Sequence, residues 1–190
     1  MTTALLVDDT TATELVADVL HQRLGWDVTT VHTTTAVTEE LVRATAPDVA
    51  IVDLSFPREP HSGLDVMVRI HRLRPDTAIA VYTDGDQTAA KLLATAWHAL
   101  PIATAICKGS PLSAQVERFA ELERAGAAPP DPILRPYLPE SRSPWRAADA
   151  YRRLVPLAGI ARMWDVLHDA DRDLTYEEVA ARTGLRRNSV

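Results

Sequence analysis

The sequence predicts an α/β fold: a doubly wound, five-stranded parallel sheet followed by a small all-α domain. Three observations support this prediction. Short apolar runs alternate with helical patterns five times within residues 1–124. The runs are almost continuously apolar, as expected for parallel strands that helices cover on both faces. Six prolines then interrupt residues 125–144, and helical patterns resume at Trp145.

The strand candidates are short, apolar and often β-branched. In chain order they cover residues 4–8, 27–32, 48–53, 77–83 and 104–108. The helix candidates between them carry apolar residues three and four positions apart, and Pro47 and Pro75 follow two of them as stop signals. They cover residues 11–24, 35–46, 63–74, 86–99 and 111–123, and the apolar stripe of the first contains Leu15, Val16, Val19 and Leu20.

Composition narrows the class of protein. Hydrophobic residues make up 46% of the 190 residues, which is enough to form a packed core. The formal net charge of -6 argues against a protein that coats nucleic acid or anionic membranes. No apolar stretch predicts a membrane span, no signal pattern is visible, and the single Cys107 offers no disulfide framework. We therefore expect a soluble, cytoplasmic protein with no membrane partner.

The proline-rich segment and the residues after it predict a second unit. Because proline cannot continue a helix or a sheet ladder, residues 125–144 are predicted to form a stiff, extended linker. Residues 145–190 contain three helix candidates and a fresh helix start near Arg186. The predicted organisation is a domain at 1–124, a linker at 125–144 and a helical domain at 145–190.

Polar side chains stand at the ends of the apolar strand candidates. Asp8 and Asp9 end the first candidate and Asp53 ends the third. Because the carboxyl ends of parallel strands meet at one edge, these groups should lie close together and repel each other unless a cation lies among them. Mg²⁺ suits such oxygen ligands. Thr83 and Lys108 end the last two strands, and the whole set suits phosphoryl transfer to a carboxylate.

The segments LLVDD and VDLSFP, the Thr of VYT and the Lys of CKG resemble the receiver domain of bacterial two-component response regulators. The resemblance covers about residues 1–124 and implies a flavodoxin-like fold. It also implies that Asp53 accepts a phosphoryl group from the phosphohistidine of a sensor histidine kinase. The same resemblance implies that Asp8, Asp9, Asp53 and the backbone carbonyl of Ser55 bind Mg²⁺.

The resemblance further implies that Lys108 contacts the phosphoryl group and that Thr83 hydrogen-bonds to it and shifts with it. Three positions depart from the family pattern. Gly109 replaces the usual proline after the lysine, Ala105 replaces the switch aromatic, and Asp84 replaces a small residue beside the switch threonine. A carboxylate beside an incoming phosphoryl group opposes it electrostatically. We therefore predict an intact acidic site with an altered switch, which is phosphorylated poorly or activated in another way.

The C-terminal segment TYEEVAARTGLRRNSV resembles the helix-turn-helix of LuxR-type regulators and of the promoter-reading region of sigma factors. Ala180 permits a close helix approach, Gly184 makes the turn and Val190 anchors the second helix. The first residues of that second helix are predicted to contact DNA: Arg186, Arg187, Asn188 and Ser189. An ordinary helical hairpin with a basic tip is the alternative. The second helix has barely more than one turn before Val190, so we expect an incomplete output domain.

These inferences predict a cytoplasmic response regulator that is not an enzyme, controls transcription by binding DNA, and forms a homodimer through its fourth and fifth helices and last strand. The alternative is a receiver-based adaptor that binds proteins rather than DNA and need not be phosphorylated. A haloacid-dehalogenase-like phosphatase would need an aspartate where Ser55 stands. A calcium loop in residues 169–178 is rejected because its sixth position is Leu174 rather than glycine.

Overall fold

The computed structural model describes residues 1–85 and 87–140, together with residue 178. Within this part of the chain, five parallel strands form one sheet in the order β2-β1-β3-β4-β5. The strands are β1 (Thr3–Val7), β2 (Asp27–Val31), β3 (Val49–Val52), β4 (Ala78–Thr83) and β5 (Ile102–Cys107). This order is the flavodoxin-like one, so the predicted α/β class is confirmed. The predicted all-α domain lies outside the described residues.

Five helices connect or follow the strands. They are α1 (Thr13–Leu24), α2 (Glu39–Thr45), α3 (Gly63–Leu73), α4 (Gln87–Ala99) and α5 (Leu112–Ala125), and a short 3₁₀ helix follows at Arg135–Tyr137. Each strand therefore runs in the same direction and returns through a helix, as a doubly wound sheet requires. No helix among the described residues is both long enough and apolar enough to cross a membrane.

The sheet separates two apolar cores. Leu5 and Leu6 are neighbours in β1 and both are fully buried, but they belong to opposite cores because successive strand residues point to opposite faces. The core with Leu5 contains residues of α3 and α4, such as Met67 and Leu93. The core with Leu6 contains residues of α1 and α5, including Phe119. Burial on both faces explains why the inner strand β3 is apolar throughout, whereas the edge strand β2 carries polar residues.

The structure corrects three local predictions. The β5 strand begins at Ile102 rather than at residue 104. Helix α2 begins at Glu39 rather than at residue 35, because the hydroxyl of Thr38 accepts the backbone N–H of Leu41 at 3.1 Å and caps the helix there. Leu15, predicted to lie on the apolar stripe of α1, is 60% exposed, whereas Val16 and Leu20 of that stripe are buried together with Ala17.

The first part of the predicted linker is packed against the domain. Residues 126–138 do not form a free extended spacer. The backbone N–H groups of Ala128 and Asp131 donate to carbonyls of β5, and Leu134 is fully buried. Prolines interrupt regular secondary structure here, but these two N–H groups find acceptors on the open edge of the sheet, and those of Leu134 and Tyr137 find acceptors within the segment. The rest of the predicted linker, from residue 141, lies outside the described residues.

Helix α3 begins directly against the backbone that follows β3. The carboxylate of Asp65 accepts the backbone N–H of Ser62 at 2.8 Å, which caps the first turn. The N–H of Gly63 donates to the carbonyl of Leu54 at 3.3 Å. A Cβ atom on Gly63 would lie 1.6 Å from the carbonyl oxygen of Asp53, which no side chain tolerates. Only glycine therefore allows α3 to start this close to Asp53.

We expect Gly63→Ala to lower the free energy of unfolding by at least about 2 kcal/mol, because the backbone at Asp53 or the start of α3 must move. Gly109→Ala is the matched control, since its added methyl would meet the Cys107 sulfur at an ordinary 3.7 Å. Denaturant unfolding of both variants measures the difference. Equal losses in the two variants would contradict the close approach at Gly63.

Candidate functional site

Three carboxylates converge at the carboxyl edge of the sheet. Asp8 and Asp9 follow β1 and Asp53 follows β3, and these two strands are paired neighbours. One oxygen of each carboxylate lies within 4.8 Å of an oxygen of the others. Asp8 and Asp53 are buried, whereas Asp9 is exposed. The structure thus brings together the three acidic residues that the strand ends predicted.

Lys108, the first residue after β5, lies between the two buried carboxylates. Its Nζ is 2.8 Å from Oδ2 of Asp8 and 2.9 Å from Oδ2 of Asp53. Only 11% of the lysine side chain is exposed, so water screens these pairs weakly. The ammonium also lies 5.5 Å from the centre of the Tyr82 ring, within the range of a cation–π contact.

Backbone donors fix the other oxygen of each buried carboxylate. Oδ1 of Asp8 accepts the N–H of Thr10 at 2.9 Å, and Oδ1 of Asp53 accepts the N–H of Leu54 at 2.7 Å. Each carboxylate is therefore held in one orientation by its own loop. The second oxygen of each is left to face Lys108.

Gln115 on α5 holds the turn that carries Lys108. Its Nε2 donates to the carbonyls of Lys108 at 3.1 Å and Ser110 at 2.7 Å, and its Oε1 accepts the hydroxyl of Tyr82 at 2.9 Å. Sequence reasoning missed this buried glutamine. A signal was present, because position 115 lies four residues before the core residue Phe119 and so falls on the buried face of α5.

The cluster opens into a pocket of about 190 Å³. Thr83, at the end of β4, borders it and is buried, and its Oγ1 accepts the N–H of Gly85 in a long bond of 3.5 Å. Ser55 lies on the loop after β3. The lining residues are Asp9, Thr10, Asp53, Ser55, Pro57, Thr83, Asp84 and Lys108. The pocket therefore combines carboxylates, a hydroxyl and an ammonium group around one space.

Burial dominates the electrostatics of the cluster. It raises the pKa of Asp53 from 3.8 to about 6, although the Lys108 ammonium offsets part of the effect and Asp8 adds to it. For Lys108, burial alone would lower the pKa, but attraction to Asp53 and hydrogen bonds to Asp8 and Asp53 raise it above its usual value. The lysine therefore stays charged, and its ammonium group interacts with both buried carboxylates.

The three residues that differ from the receiver-domain pattern lie in different places relative to the pocket. Asp84 is exposed at the rim of the pocket. Ala105 is fully buried in β5, and its carbonyl accepts the N–H of Asp131 from the proline-rich segment. Gly109 lies in the turn after Lys108. The predicted DNA-contacting residues, Arg186, Arg187, Asn188 and Ser189, lie outside the described part of the chain.

We expect Asp53→Asn to raise the free energy of unfolding at about pH 8 without Mg²⁺, by up to about 3 kcal/mol. The folded-state pKa of Asp53 is raised, so its favourable contribution is complete below 3.8 and is lost as the pH rises through about 6. The gain in the variant should accordingly vanish near pH 4, as denaturant unfolding at several pH values would show. A variant less stable than the native chain at pH 8 would contradict this account.

No family model matches the sequence. A curated protein of Pseudomonas aeruginosa, described as a "Putative transcriptional regulator", is 32% identical over 83 residues, or 44% of this chain. The match spans 39% of that relative, so this chain aligns with well under half of its length.

Solved structures with the same fold include response regulators and their receiver domains. The isolated REC domain of RcsB from Salmonella enterica serovar Typhimurium, with the phosphomimetic BeF₃⁻, is 20% identical with a TM-score of 0.59. The structural alignment covers 73% of this chain and 99% of that domain. RcsB of the same organism, bound to promoter P1flhDC with BeF₃⁻, is 15% identical with a TM-score of 0.57. The structural alignment covers 99% of this chain and 86% of RcsB. The described chain therefore has the receiver-type, flavodoxin-like fold of these response regulators.

Proposed function

We propose that this protein is a response regulator whose receiver domain accepts a phosphoryl group on Asp53 with the help of Mg²⁺. One observation carries the proposal: the Lys108 ammonium lies within 2.9 Å of both Asp8 and Asp53, beside a third carboxylate and an open pocket. An enclosed structural ion pair would not need an exposed third carboxylate or a pocket. The arrangement suits a site that must balance added negative charge.

The donor set fits Mg²⁺. Neighbouring oxygens around an octahedral Mg²⁺ are about 3 Å apart, since each Mg–O bond is about 2.1 Å. One oxygen each of Asp8, Asp9 and Asp53 lies within 4.8 Å of the other two, which is close enough for a single cation to contact all three carboxylates. The carbonyl of Ser55 would complete the protein ligands. Mg²⁺ bound there would supply positive charge that neutralises the transferred phosphoryl group.

The proposed chemistry is attack of an Asp53 carboxylate oxygen on the phosphorus of a phosphohistidine. An O–P bond forms, the N–P bond breaks, and its electron pair stays on the imidazole nitrogen, which then takes a proton. Asp53 must be ionised to attack, and a pKa of about 6 leaves it mostly ionised at neutral pH. Lys108 and the hydroxyl of Thr83 would donate hydrogen bonds to the new phosphoryl oxygens.

The output that we propose is control of transcription. Its support is the promoter-bound RcsB of the same fold and the curated relative described as a regulator of transcription. On this proposal a sensor histidine kinase phosphorylates the protein in the cytoplasm. Residues 145–190 then bind DNA as a homodimer, with the positive charges of Arg186 and Arg187 against its phosphates, and the protein has no enzyme activity of its own.

The adaptor alternative has two observations in its favour. The formal net charge of -6 is unfavourable for contact with phosphates. Asp84 adds a carboxylate at the rim of the pocket, where it opposes an incoming phosphoryl group. A receiver of this kind would bind a protein partner without touching DNA.

Incubation with acetyl phosphate and Mg²⁺ should add one phosphoryl group to the intact chain, as mass spectrometry would measure. Asp53→Asn should abolish the adduct, and Asp9→Asn should slow its formation because a metal ligand is removed. Asp84→Asn should speed it several-fold, since a like charge is removed from the rim. Asp18→Asn, on the exposed face of α1, is the matched control and should change nothing. An adduct that persists in Asp53→Asn would contradict the proposed acceptor.

DNA retention of the full chain should fall steeply with salt if residues 145–190 bind phosphates, because bound counterions are released. Neutralising one arginine that pairs with a phosphate should reduce the slope of log affinity against log salt by about one. Arg186→Ala with Arg187→Ala should therefore flatten the slope by about two. Fluorescence anisotropy with a labelled duplex measures it. The absence of salt-dependent retention would favour the adaptor.

A further inference from the structure

Residues 127–138, which we call the strap, cross the edge of the sheet beside β5. The N–H of Ala128 donates to the carbonyl of Ala103 at 3.1 Å, and the N–H of Asp131 donates to the carbonyl of Ala105 at 2.7 Å. The two acceptors are alternate residues of β5, the edge strand of the described sheet. Their carbonyl groups therefore point away from β4. The strap hydrogen-bonds to these backbone acceptors, which an edge strand otherwise leaves open.

A polar anchor fastens the middle of the strap. Asp131 is buried, and its Oδ2 accepts the hydroxyl of Ser110 at 2.6 Å. Nη1 of Arg118 on α5 donates to the carbonyl of Pro129 at 2.8 Å, and its Nε lies 3.8 Å from the Asp131 carboxylate. Ser110 is two residues beyond Lys108, so the anchor is attached to the same turn that carries the lysine of the pocket.

An apolar anchor fastens the end of the strap. Leu134 is fully buried and belongs to the same core as Leu93 of α4 and Ala105 of β5. It packs closely against the loop between β4 and α4, because a Cβ atom on Gly85 would lie only 3.0 Å from Cδ2 of Leu134. Gly85 also has a φ of +78°, a conformation that glycine adopts readily. The loop therefore depends on Gly85 for its present path beneath Leu134.

That same loop borders the pocket. Thr83 and Asp84 line it, and the hydroxyl of Thr83 accepts the N–H of Gly85. A phosphoryl group on Asp53 would offer the Thr83 hydroxyl a charged acceptor and would repel the Asp84 carboxylate. Both effects act on the loop against which Leu134 is packed. Because the gap between Gly85 and Leu134 is too narrow for even a methyl group to fit without a shift, movement of the loop toward the strap would displace Leu134.

We infer that the strap is coupled to the pocket: occupation of Asp53 by a phosphoryl group loosens the strap, and release of the strap favours phosphoryl binding. This inference rests on the proposed function, because it requires the pocket to accept a phosphoryl group. The strap leads directly to residues 141–190, so its release would transmit the state of the pocket to the remainder of the chain. Coupling between two sites is reciprocal, so either site reports on the other.

The first test uses hydrogen exchange on the full chain with beryllium fluoride and Mg²⁺ as the phosphoryl probe. The amides of Ala128 and Asp131 should exchange about tenfold faster with the probe than without it. The amides of the inner strand β1 should keep their rates. Unchanged or slower exchange in the strap, with the probe bound, would overturn the coupling.

The second test uses strap variants and measures the affinity for beryllium fluoride by the shift in thermal midpoint. Leu134→Ala should tighten binding about tenfold, because the loop is released from the strap. Ile133→Ala is the matched control, since Ile133 is exposed and adjacent in sequence, and it should bind as the native chain does. Asp131→Asn weakens the strap at a point away from the loop and should also tighten binding.

Asp131→Asn keeps the test decisive if Leu134→Ala fails to fold. Equal affinity in the native chain and in Asp131→Asn would overturn the coupling. Two failures can be told apart. If beryllium fluoride with Mg²⁺ never changes the thermal midpoint of the native chain, both the proposed function and the coupling are contradicted. If the thermal midpoint changes but hydrogen exchange in the strap does not, only the coupling is contradicted.

Discussion

Charge repulsion at the carboxyl edge of the sheet is the constraint on which the rest of this structure depends. Asp8 and Asp53 are buried on adjacent strand ends, where water does little to separate their charges. Lys108 is the cation that makes the arrangement possible, and it reaches both carboxylates within 2.9 Å. Gln115 in turn holds the turn that presents the lysine. A site of this kind is stable only while positive charge stays close to it, which makes it responsive to any ligand that alters the charge.

The fold supports the two sides of the pocket in different ways. Gly63 lets α3 start against the carbonyl of Asp53, so the loop that carries Asp53 is supported by a helix. The loop after β4 is different, because its contacts at Gly85 are a long hydrogen bond and the packing of Leu134. The side of the pocket at Asp53 is therefore held by the start of α3, whereas the side formed by the loop after β4 packs against Leu134, which is distant in sequence. On the proposed function, this asymmetry separates the residue that accepts the phosphoryl group from the loop that would respond to it.

Much of the fold and the acidic cluster could be predicted from the sequence. Continuous apolar strands require cover on both faces, and parallel strands bring their carboxyl ends together, so Asp8, Asp9 and Asp53 had to converge. The rest depends on tertiary contacts that leave no periodic signal. Prolines in the segment around Asp131 disfavour an α-helix, but they do not indicate that the chain will dock on β5. The burial of Leu134 follows from that docking and from nothing local.

Docking of residues 127–138 also has a consequence for the behaviour of the chain in concentrated solution. The β5 strand, IATAIC, is short, uncharged and apolar except for Thr104, and its outward backbone groups would otherwise be open to another molecule. Such an edge is a template for intermolecular strand pairing and aggregation. By occupying the carbonyls of Ala103 and Ala105, the chain protects its own sheet. A fragment cut after α5 would lack this protection and self-associate more readily than the chain that retains it.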